Sequence, residues 1–193
     1  MSEIKILIEG YAKQIANGWL ASSTVTLIKA SNKNIIVDPG CNGEKLIAAL
    51  IKENLKVGDI DFVLLTHNHL DHTLLAGIFP NARVLTTEEM YKNDNQILHN
   101  NKIPETDLEI IQTTGHAGEH CSLVVPTEKG VYVVAGDVFW YVDGEAEIAD
   151  AEKIDDAHPA EVDMTKLIES RKKILEIADW IIPGHGKMFK VKK

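Results

Sequence analysis

The segment His67-Asn68-His69-Leu70-Asp71-His72 places four side chains that can bind a metal within six residues. Imidazole and carboxylate groups suit zinc, manganese or iron, and such density is not expected of histidines that are only buried polar groups. His67 and His69 are two apart on extended chain and point to one side, whereas Asp71 and His72 lie in the first turn of a predicted helix. The segment therefore predicts ligands for two adjacent metal ions.

Further ligands are expected on three glycine-containing turns that follow apolar segments: Thr114-Gly115-His116, Gly136-Asp137 and Pro183-Gly184-His185-Gly186. Glycine lets the backbone pass close to a metal or a substrate. A carboxylate in the first helical turn, Asp71, offsets the partial positive charge of the helix N-terminus, and a second carboxylate would reduce the repulsion between two dications. Together with the six-residue segment, the three turns predict a binuclear metal centre.

The order of these motifs resembles the metallo-β-lactamase superfamily over nearly the whole chain: His-x-His-x-Asp-His, then Gly-His, then Gly-Asp, then Pro-Gly-His-Gly. The resemblance implies an α/β fold, a four-layer αββα sandwich with mixed sheets. It also implies a ligand set, which is His67, His69 and His116 for metal one, Asp71, His72 and His185 for metal two, and Asp137 bridging both. The implied cofactors are two divalent metal ions, zinc first, with manganese or iron as alternatives.

The type of bridging residue indicates a branch of the superfamily. Asp137 resembles the glyoxalase II, lactonase and nuclease branches, because the β-lactamases that use a cysteine at the second metal have no aspartate there. Antibiotic hydrolysis is therefore not expected. The opening segments Glu9-Gly10-Tyr11 and Ser23 to Ile28 look most like short proteins related to an animal histone pre-mRNA nuclease.

The predicted reaction is hydrolysis of a small ester, thioester or lactone by a hydroxide that bridges the metals. Asp71 is the predicted catalytic carboxylate, because it can orient the water or pass its proton to the leaving group. Two alternatives stay open, which are cleavage of RNA phosphodiester bonds at the same centre and oxidation at a single iron, as in the persulfide dioxygenase branch. Because that branch leaves the second site empty, intact Asp71, His72 and His185 argue against the iron alternative.

Substrate contacts are predicted from residues close to the ligands along the chain. Lys187, two residues after His185, is the predicted anchor for an anionic group. The other predicted contacts are Trp140 and Tyr141, which follow Asp137, and His120, which either lines the pocket or caps a strand. Three further residues are assigned other roles: Asp38 supports the metal-binding loop, and His99 and His158 are surface histidines.

The elements that must position these residues alternate between short strands and helices. Strands are predicted at Ile4–Glu9, Thr24–Lys29, Asn34–Val37, Asp61–Leu65, Arg83–Leu85, Leu108–Thr113, Ser122–Val125, Val131–Ala135 and Trp180–Ile182. Helices are predicted at Glu44–Lys52, from Leu70 to before Pro80, and over the stripe Met164, Leu167, Ile168, Leu175 and Ala178 with Asp163 as N-cap. Asn93–Thr106 is predicted to be a loop. Two sheets with helices outside would bury this pattern, although periodicity alone also fits a three-layer α/β fold.

Composition narrows the class of partner. The chain has 193 residues, predicted to form one domain over 1–193, and carries a net charge of −9, which disfavours nucleic acid. A small-molecule substrate is the expected partner, and the sequence does not indicate an oligomeric state. No apolar run long enough for a membrane span or a secretory signal is visible, so a cytoplasmic protein is expected. Cys41 and Cys121 are predicted to be free thiols.

Overall fold

The computed structural model describes residues 1–154 and 162–192. Its strands are, in chain order, β1 (Glu3–Ile8), β2 (Tyr11–Ile15), β3 (Gly18–Ser22), β4 (Val25–Ala30), β5 (Lys33–Val37), β6 (Phe62–Leu64), β7 (Arg83–Leu85), β8 (Glu89–Lys92), β9 (Asn95–Leu98), β10 (Glu109–Gln112), β11 (Cys121–Thr127), β12 (Gly130–Trp140), β13 (Trp180–His185) and β14 (Phe189–Lys190). The α-helices are α1 (Gly43–Lys52), α2 (Leu70–Thr73) and α3 (Met164–Ile177), and short 3₁₀ turns cover Val57–Asp59 and Ala76–Ile78.

The strands form two mixed sheets and one separate hairpin. The first sheet has the order β1-β4-β5-β6-β7-β8-β9, the second has the order β10-β11-β12-β13-β14, and β2 pairs with β3 alone. β6 runs parallel to both β5 and β7, and β13 runs parallel to β12, whereas the other pairs are antiparallel. The C-terminal ends of β6, β12 and β13 carry metal-binding residues: His67 follows β6, Asp137 lies near the end of β12, and His185 ends β13.

Alternating side chains along the strands build three apolar layers. From β4, Ile28 points into the space between the two sheets, whereas Leu27 points out toward α1. Leu46 of α1 is fully buried against that outer face, and Leu167 of α3 is fully buried against the outer face of the second sheet. Each such leucine stabilises the fold by about 1.5–3 kcal/mol. The result is the predicted αββα sandwich with mixed sheets.

Two sequence-based predictions of local structure were wrong. The helix expected from Leu70 to before Pro80 is a single turn, because the chain leaves it to pair with the turn at Gly40, whose N–H donates to His72 O and whose carbonyl accepts from Leu75 N–H. The loop expected at Asn93–Thr106 contains β9, which extends the first sheet by pairing with β8. No helix among the described residues is long and apolar enough to cross a membrane.

Candidate metal centre

Seven predicted ligands converge at the strand ends on one edge of the sandwich. One group contains His67, His69, His116 and Asp137, and the other contains Asp71, His72 and His185. Within each group one potential ligand atom per residue lies within 4.8 Å of every other. The structure thus forms two His/Asp metal sites from segments that are far apart in the sequence.

Asp137 joins the two groups, with one carboxylate oxygen directed at each. Its Oδ2 lies 3.3 Å from His116 Nε2 and 3.7 Å from His67 Nε2. Its Oδ1 lies 3.3 Å from His72 Nε2 and 3.6 Å from His185 Nε2. A carboxylate held in this way has the geometry needed to bind one ion through each oxygen.

Hydrogen bonds on the far side of the rings set which nitrogen faces the centre. His185 Nδ1 lies 3.0 Å from the carbonyl oxygen of Tyr11, and a carbonyl can only accept, so this nitrogen carries the proton. His72 Nδ1 likewise donates to Asp38 Oδ2 at 2.8 Å. In each ring Nε2 is therefore the nitrogen that faces the centre and could act as the ligand atom.

Asp38 also orients a histidine of the other group, through Thr66. The Thr66 hydroxyl donates to Asp38 Oδ2 at 2.7 Å and so accepts, at 3.0 Å, from His67 Nδ1. Asp38 Oδ1 accepts the Thr66 backbone N–H at 2.8 Å, and the Asp38 backbone is in the left-handed region with φ of 50°. One buried carboxylate therefore fixes His67 and His72 together, which extends the support of the metal-binding loop predicted for Asp38.

The residues present fit metal ions. His67 Nε2, His72 Nε2 and Asp137 Oδ1 are buried and make no hydrogen bond to any described residue. A buried polar atom without a hydrogen bond costs about 1–3 kcal/mol, and a cation shared among these atoms would remove that cost. Imidazole and carboxylate donors in this number are typical of divalent zinc, manganese or iron.

Electrostatics favour the ligand forms of two of these residues. Burial would raise the pKa of Asp137, but nearby His72, His185 and His116 outweigh it and hold the pKa well below its usual range. Burial lowers the pKa of His67 well below its usual value, and His72 lowers it further. Asp137 is therefore ionised and His67 neutral, which are the forms that bind metals.

Backbone hydrogen bonds from the residues on either side of the β2–β3 hairpin hold two of the metal-binding turns in place. Thr24 N–H donates to Gly184 O at 2.7 Å, Gly186 N–H donates to Gly10 O at 3.0 Å, and Ser23 N–H donates to Asp71 O at 3.2 Å. A Cβ at Gly184 would overlap Asp137 Oδ1, so a side chain there would displace the Asp137 carboxylate. Glycine is thus required where this turn passes the metal centre.

An open cleft of about 390 Å³ leads to the centre. One wall is formed by potential ligands, His69, Asp71, His116, Asp137 and His185, and the other by apolar residues, Ala12, Trp19, Ala21, Leu70 and Trp140. The Asp71 side chain is 28% exposed, whereas that of Asp137 is 6% exposed. Asp71 is therefore the carboxylate that solvent and substrate can reach.

Of the predicted substrate contacts, the structure places only Trp140 at this cleft. Its ring centroid lies 6.2 Å from that of His185. Tyr141 is buried on the other side, where its hydroxyl donates to Ile148 O. Lys187 is exposed and is not among the described residues that line the cleft. Its backbone N–H donates to a carboxylate oxygen of Glu147.

His120 and His99, the other predicted histidines that the structure describes, lie outside the cleft. His120 is fully buried behind His67, with the rings stacked at 5.0 Å, and burial lowers its pKa to about 3. It therefore supports the His67 ring as a neutral group instead of facing substrate. His99 is half-exposed and its ring lies 3.0 Å from Thr86 O, while His158 lies outside the described residues.

Sequence reasoning missed Trp19 and Thr66. Trp19 lies on β3, which pairs with β2 in a hairpin that was not predicted, although Asn17-Gly18 is a typical hairpin signal. Thr66 precedes the histidine cluster directly, but its role depends on Asp38, which is 28 residues away in the sequence. No local pattern predicts such a contact.

Comparison with known proteins agrees with this geometry. The model of the metallo-beta-lactamase superfamily matches residues 18–100. The chain is 32% identical to metallo-beta-lactamase domain-containing protein 1 of Xenopus laevis, over 98% of this chain and 82% of that protein. It is also 32% identical to a hydroxyacylglutathione hydrolase of Glaesserella parasuis, over 63% of this chain and 52% of that protein.

Solved structures share the fold. A metallo-beta-lactamase-like protein from Thermotoga maritima superposes with a TM-score of 0.73 at 22% identity, covering 98% of this chain and 99% of the other. The dizinc quorum-quenching lactonase AidC, solved with its product, superposes with a TM-score of 0.61 at 15% identity, covering 88% and 74%. At these identities the likeness concerns the fold alone.

Proposed function

This chain belongs to the metallo-beta-lactamase superfamily and is a metal-dependent hydrolase with a binuclear His/Asp site, and we propose that it cleaves a small ester, thioester or lactone. The observation that carries the proposal is the placement of Asp137, whose two oxygens each approach one group of histidines beside an open cleft. The hydroxyacylglutathione hydrolase among the similar proteins supports this class of bond.

We assign the ligands according to the two groups. Metal one would be held by His67, His69 and His116, metal two by Asp71, His72 and His185, and Asp137 would contribute to both. Zinc is the proposed metal, with manganese or iron as alternatives. Two divalent ions held there would lower the pKa of a shared water toward neutrality and polarise the oxygen of the scissile group.

The chain's own residues supply the remaining functions. Asp71 lines the cleft, and its Oδ2 lies 3.2 Å from His185 Nε2, so an ion bound by both groups would hold the carboxylate in position. From there Asp71 can orient the attacking water and transfer its proton to the leaving group. The Asp38 and Thr66 hydrogen bonds keep His67 and His72 from turning, which preserves the geometry during turnover.

The cleft does not favour a polyanion. Among the described residues that line it there is no lysine or arginine, and the chain carries a net charge of −9. A nuclease needs a basic surface that follows the phosphate backbone. RNA cleavage is therefore the second candidate, favoured only by the shared metal chemistry, and single-iron oxidation is the third because both metal groups are complete.

A substrate panel tests the proposal. Metal-free protein is loaded with zinc, manganese or iron(II) and assayed against an aryl ester, a thioester, a lactone and single-stranded RNA. We expect turnover of at least one of the first three, reduced more than about a hundredfold in Asp71→Asn at equal metal content. Cleavage of RNA with no turnover of the other three substrates would replace the proposal by the nuclease alternative.

A further inference from the structure

The β2–β3 hairpin stands apart from both sheets and borders the cleft. Its base is tied to the metal centre, because His185 Nδ1 donates to Tyr11 O, and to the segment after β12, because Asp143 N–H donates to Ala12 O at 2.8 Å. Toward its tip it exposes large apolar side chains, including Trp19, which is 43% exposed. Apolar side chains exposed beside a reaction centre are typical of a surface that binds a ligand.

One face of the hairpin is directed at the cleft. Ala12 pairs with Ala21, and Trp19 is two residues before Ala21, so the three side chains point the same way. All three line the cleft, whereas Ile15, which pairs with Gly18, belongs to the opposite face. The two alanines leave space between Trp19 and the metal centre.

Trp140 continues this face as far as the ligands. The rings of Trp19 and Trp140 meet edge to face, with centroids 6.3 Å apart, and Trp140 in turn reaches His185. Leu70, which is 70% exposed, precedes Asp71 and adds a further apolar side chain to the cleft. We call Trp19, Trp140 and Leu70 the apolar wall.

The charged residues that line the cleft indicate whether a charged or an uncharged substrate group would bind at the apolar wall. Among the described residues that line the cleft the charged groups other than histidine are Asp71 and Asp137, and no lysine or arginine is present to pair with a carboxylate or phosphate at the outer end. A volume of about 390 Å³ falls within the range of small-molecule sites. An uncharged hydrocarbon chain can therefore be buried against this surface without leaving a charged group that has lost its water and found no partner.

We propose that the apolar wall binds the acyl chain of the substrate and makes the enzyme select neutral acyl groups of medium length. This inference rests on the proposed hydrolysis of an ester, thioester or lactone, and it assigns Trp19 as a specificity-determining residue. The scissile carbonyl would lie at the metal centre, and the chain would run outward past Trp140 to Trp19. Each methylene buried there should improve binding by up to about fourfold.

Chain-length selectivity tests the wall. The zinc-loaded protein is assayed with p-nitrophenyl acetate, butyrate and octanoate, and we expect kcat/KM to rise at least about tenfold from acetate to octanoate. Trp19→Ala should remove most of that rise by slowing octanoate about tenfold more than acetate, and Trp19→Phe should restore most of it. Ile15→Ala, a change on the opposite face of the same hairpin, should keep the wild-type pattern. Equal losses at all three chain lengths in Trp19→Ala would overturn the inference.

A binding measurement separates this inference from the proposed function. Saturation-transfer NMR on metal-free protein, with octanamide as probe and acetamide as control, reports occupation of the wall without hydrolysis. We expect contact with the octanamide chain in wild type and Ile15→Ala, and loss of it in Trp19→Ala. If octanamide binds in this way but no ester is cleaved, the wall stands and the proposed function fails. If esters are cleaved without a chain-length preference and octanamide does not bind, the wall fails and the proposed function stands.

Discussion

Behind the metal centre the rings are held by a buried hydrogen-bonded network, whereas in front of it the cleft is bounded by exposed apolar side chains. Asp38 and Thr66 are almost fully buried and fix two histidines, while Trp19 is 43% exposed and Leu70 is 70% exposed. Buried polar groups that are fully satisfied specify one geometry. We therefore expect a change behind the centre to weaken metal binding and a change in the apolar wall in front of it to alter the choice of substrate.

Loss of the residue that joins the two halves of the centre should have the largest effect. Asp137→Ala removes both oxygens that approach the two histidine groups, so metal affinity and activity should each fall by more than about a hundredfold. Elemental analysis and turnover of the best panel substrate measure this. His99→Ala is the control, because His99 lies outside both groups. Full turnover in Asp137→Ala would contradict the bridging role.

A change behind the centre should act on both metals at once. In Asp38→Asn one acceptor oxygen becomes an NH2 donor, which would face either the Thr66 backbone N–H or the Thr66 hydroxyl and His72 Nδ1, so affinity should fall about 10- to 100-fold at both sites. Competition with a chelator measures each site. Asp94→Asn, an exposed position near the β8–β9 turn, is the control. If only one site weakened, the shared network would not be the support of both rings.

A change of charge near the centre but outside the cleft should alter KM only for charged substrates. Lys187→Ala removes an exposed cation two residues after His185, so KM for an anionic substrate should rise about two- to threefold at low salt, with little change in kcat. For a neutral ester neither constant should change, and Lys129→Ala should have no effect on either substrate. A large effect of Lys187→Ala on neutral esters would place its ammonium at the cleft after all.

The smallest effect concerns a thiol behind the centre. Cys121 Sγ donates to Leu65 O, next to the metal-binding loop, and burial raises the pKa of this thiol to about 12. At pH 8 the native protein should therefore be alkylated at Cys121 far more slowly than at the half-buried Cys41, and unfolding should make the two rates similar. Mass spectrometry after timed iodoacetamide treatment measures this. Rapid labelling of native Cys121 would show that the back of the centre opens readily.

The same comparison explains what could be predicted from the sequence. The order of the histidine and aspartate motifs predicted the family and the αββα fold, and the seven residues implied as ligands come together in two groups. These motifs are short, so their spacing is visible along the chain. The single-turn helix α2 was not predicted, because the apolar period after Leu70 is overridden by hydrogen bonds with Gly40.

Specificity was harder to predict than chemistry. Trp19 precedes Trp140 by 121 residues and the two meet only because the hairpin folds back over the cleft. Tyr141 and His120 are near ligands in the sequence, but Tyr141 is buried away from the cleft with its hydroxyl bonded to Ile148 O, and packing places His120 behind His67. Proximity along the chain is therefore a poor guide to which side of a metal centre a residue occupies.

Metal stoichiometry coupled to activity tests the central claim most directly. Metal-free wild-type protein is titrated with zinc, freed of unbound ion, and analysed for bound metal and for turnover of the best neutral ester. We predict that binding saturates at two zinc ions per chain and that full activity requires the second ion, because both groups of ligands meet at Asp137. Saturation at one zinc ion with full activity would contradict the binuclear centre.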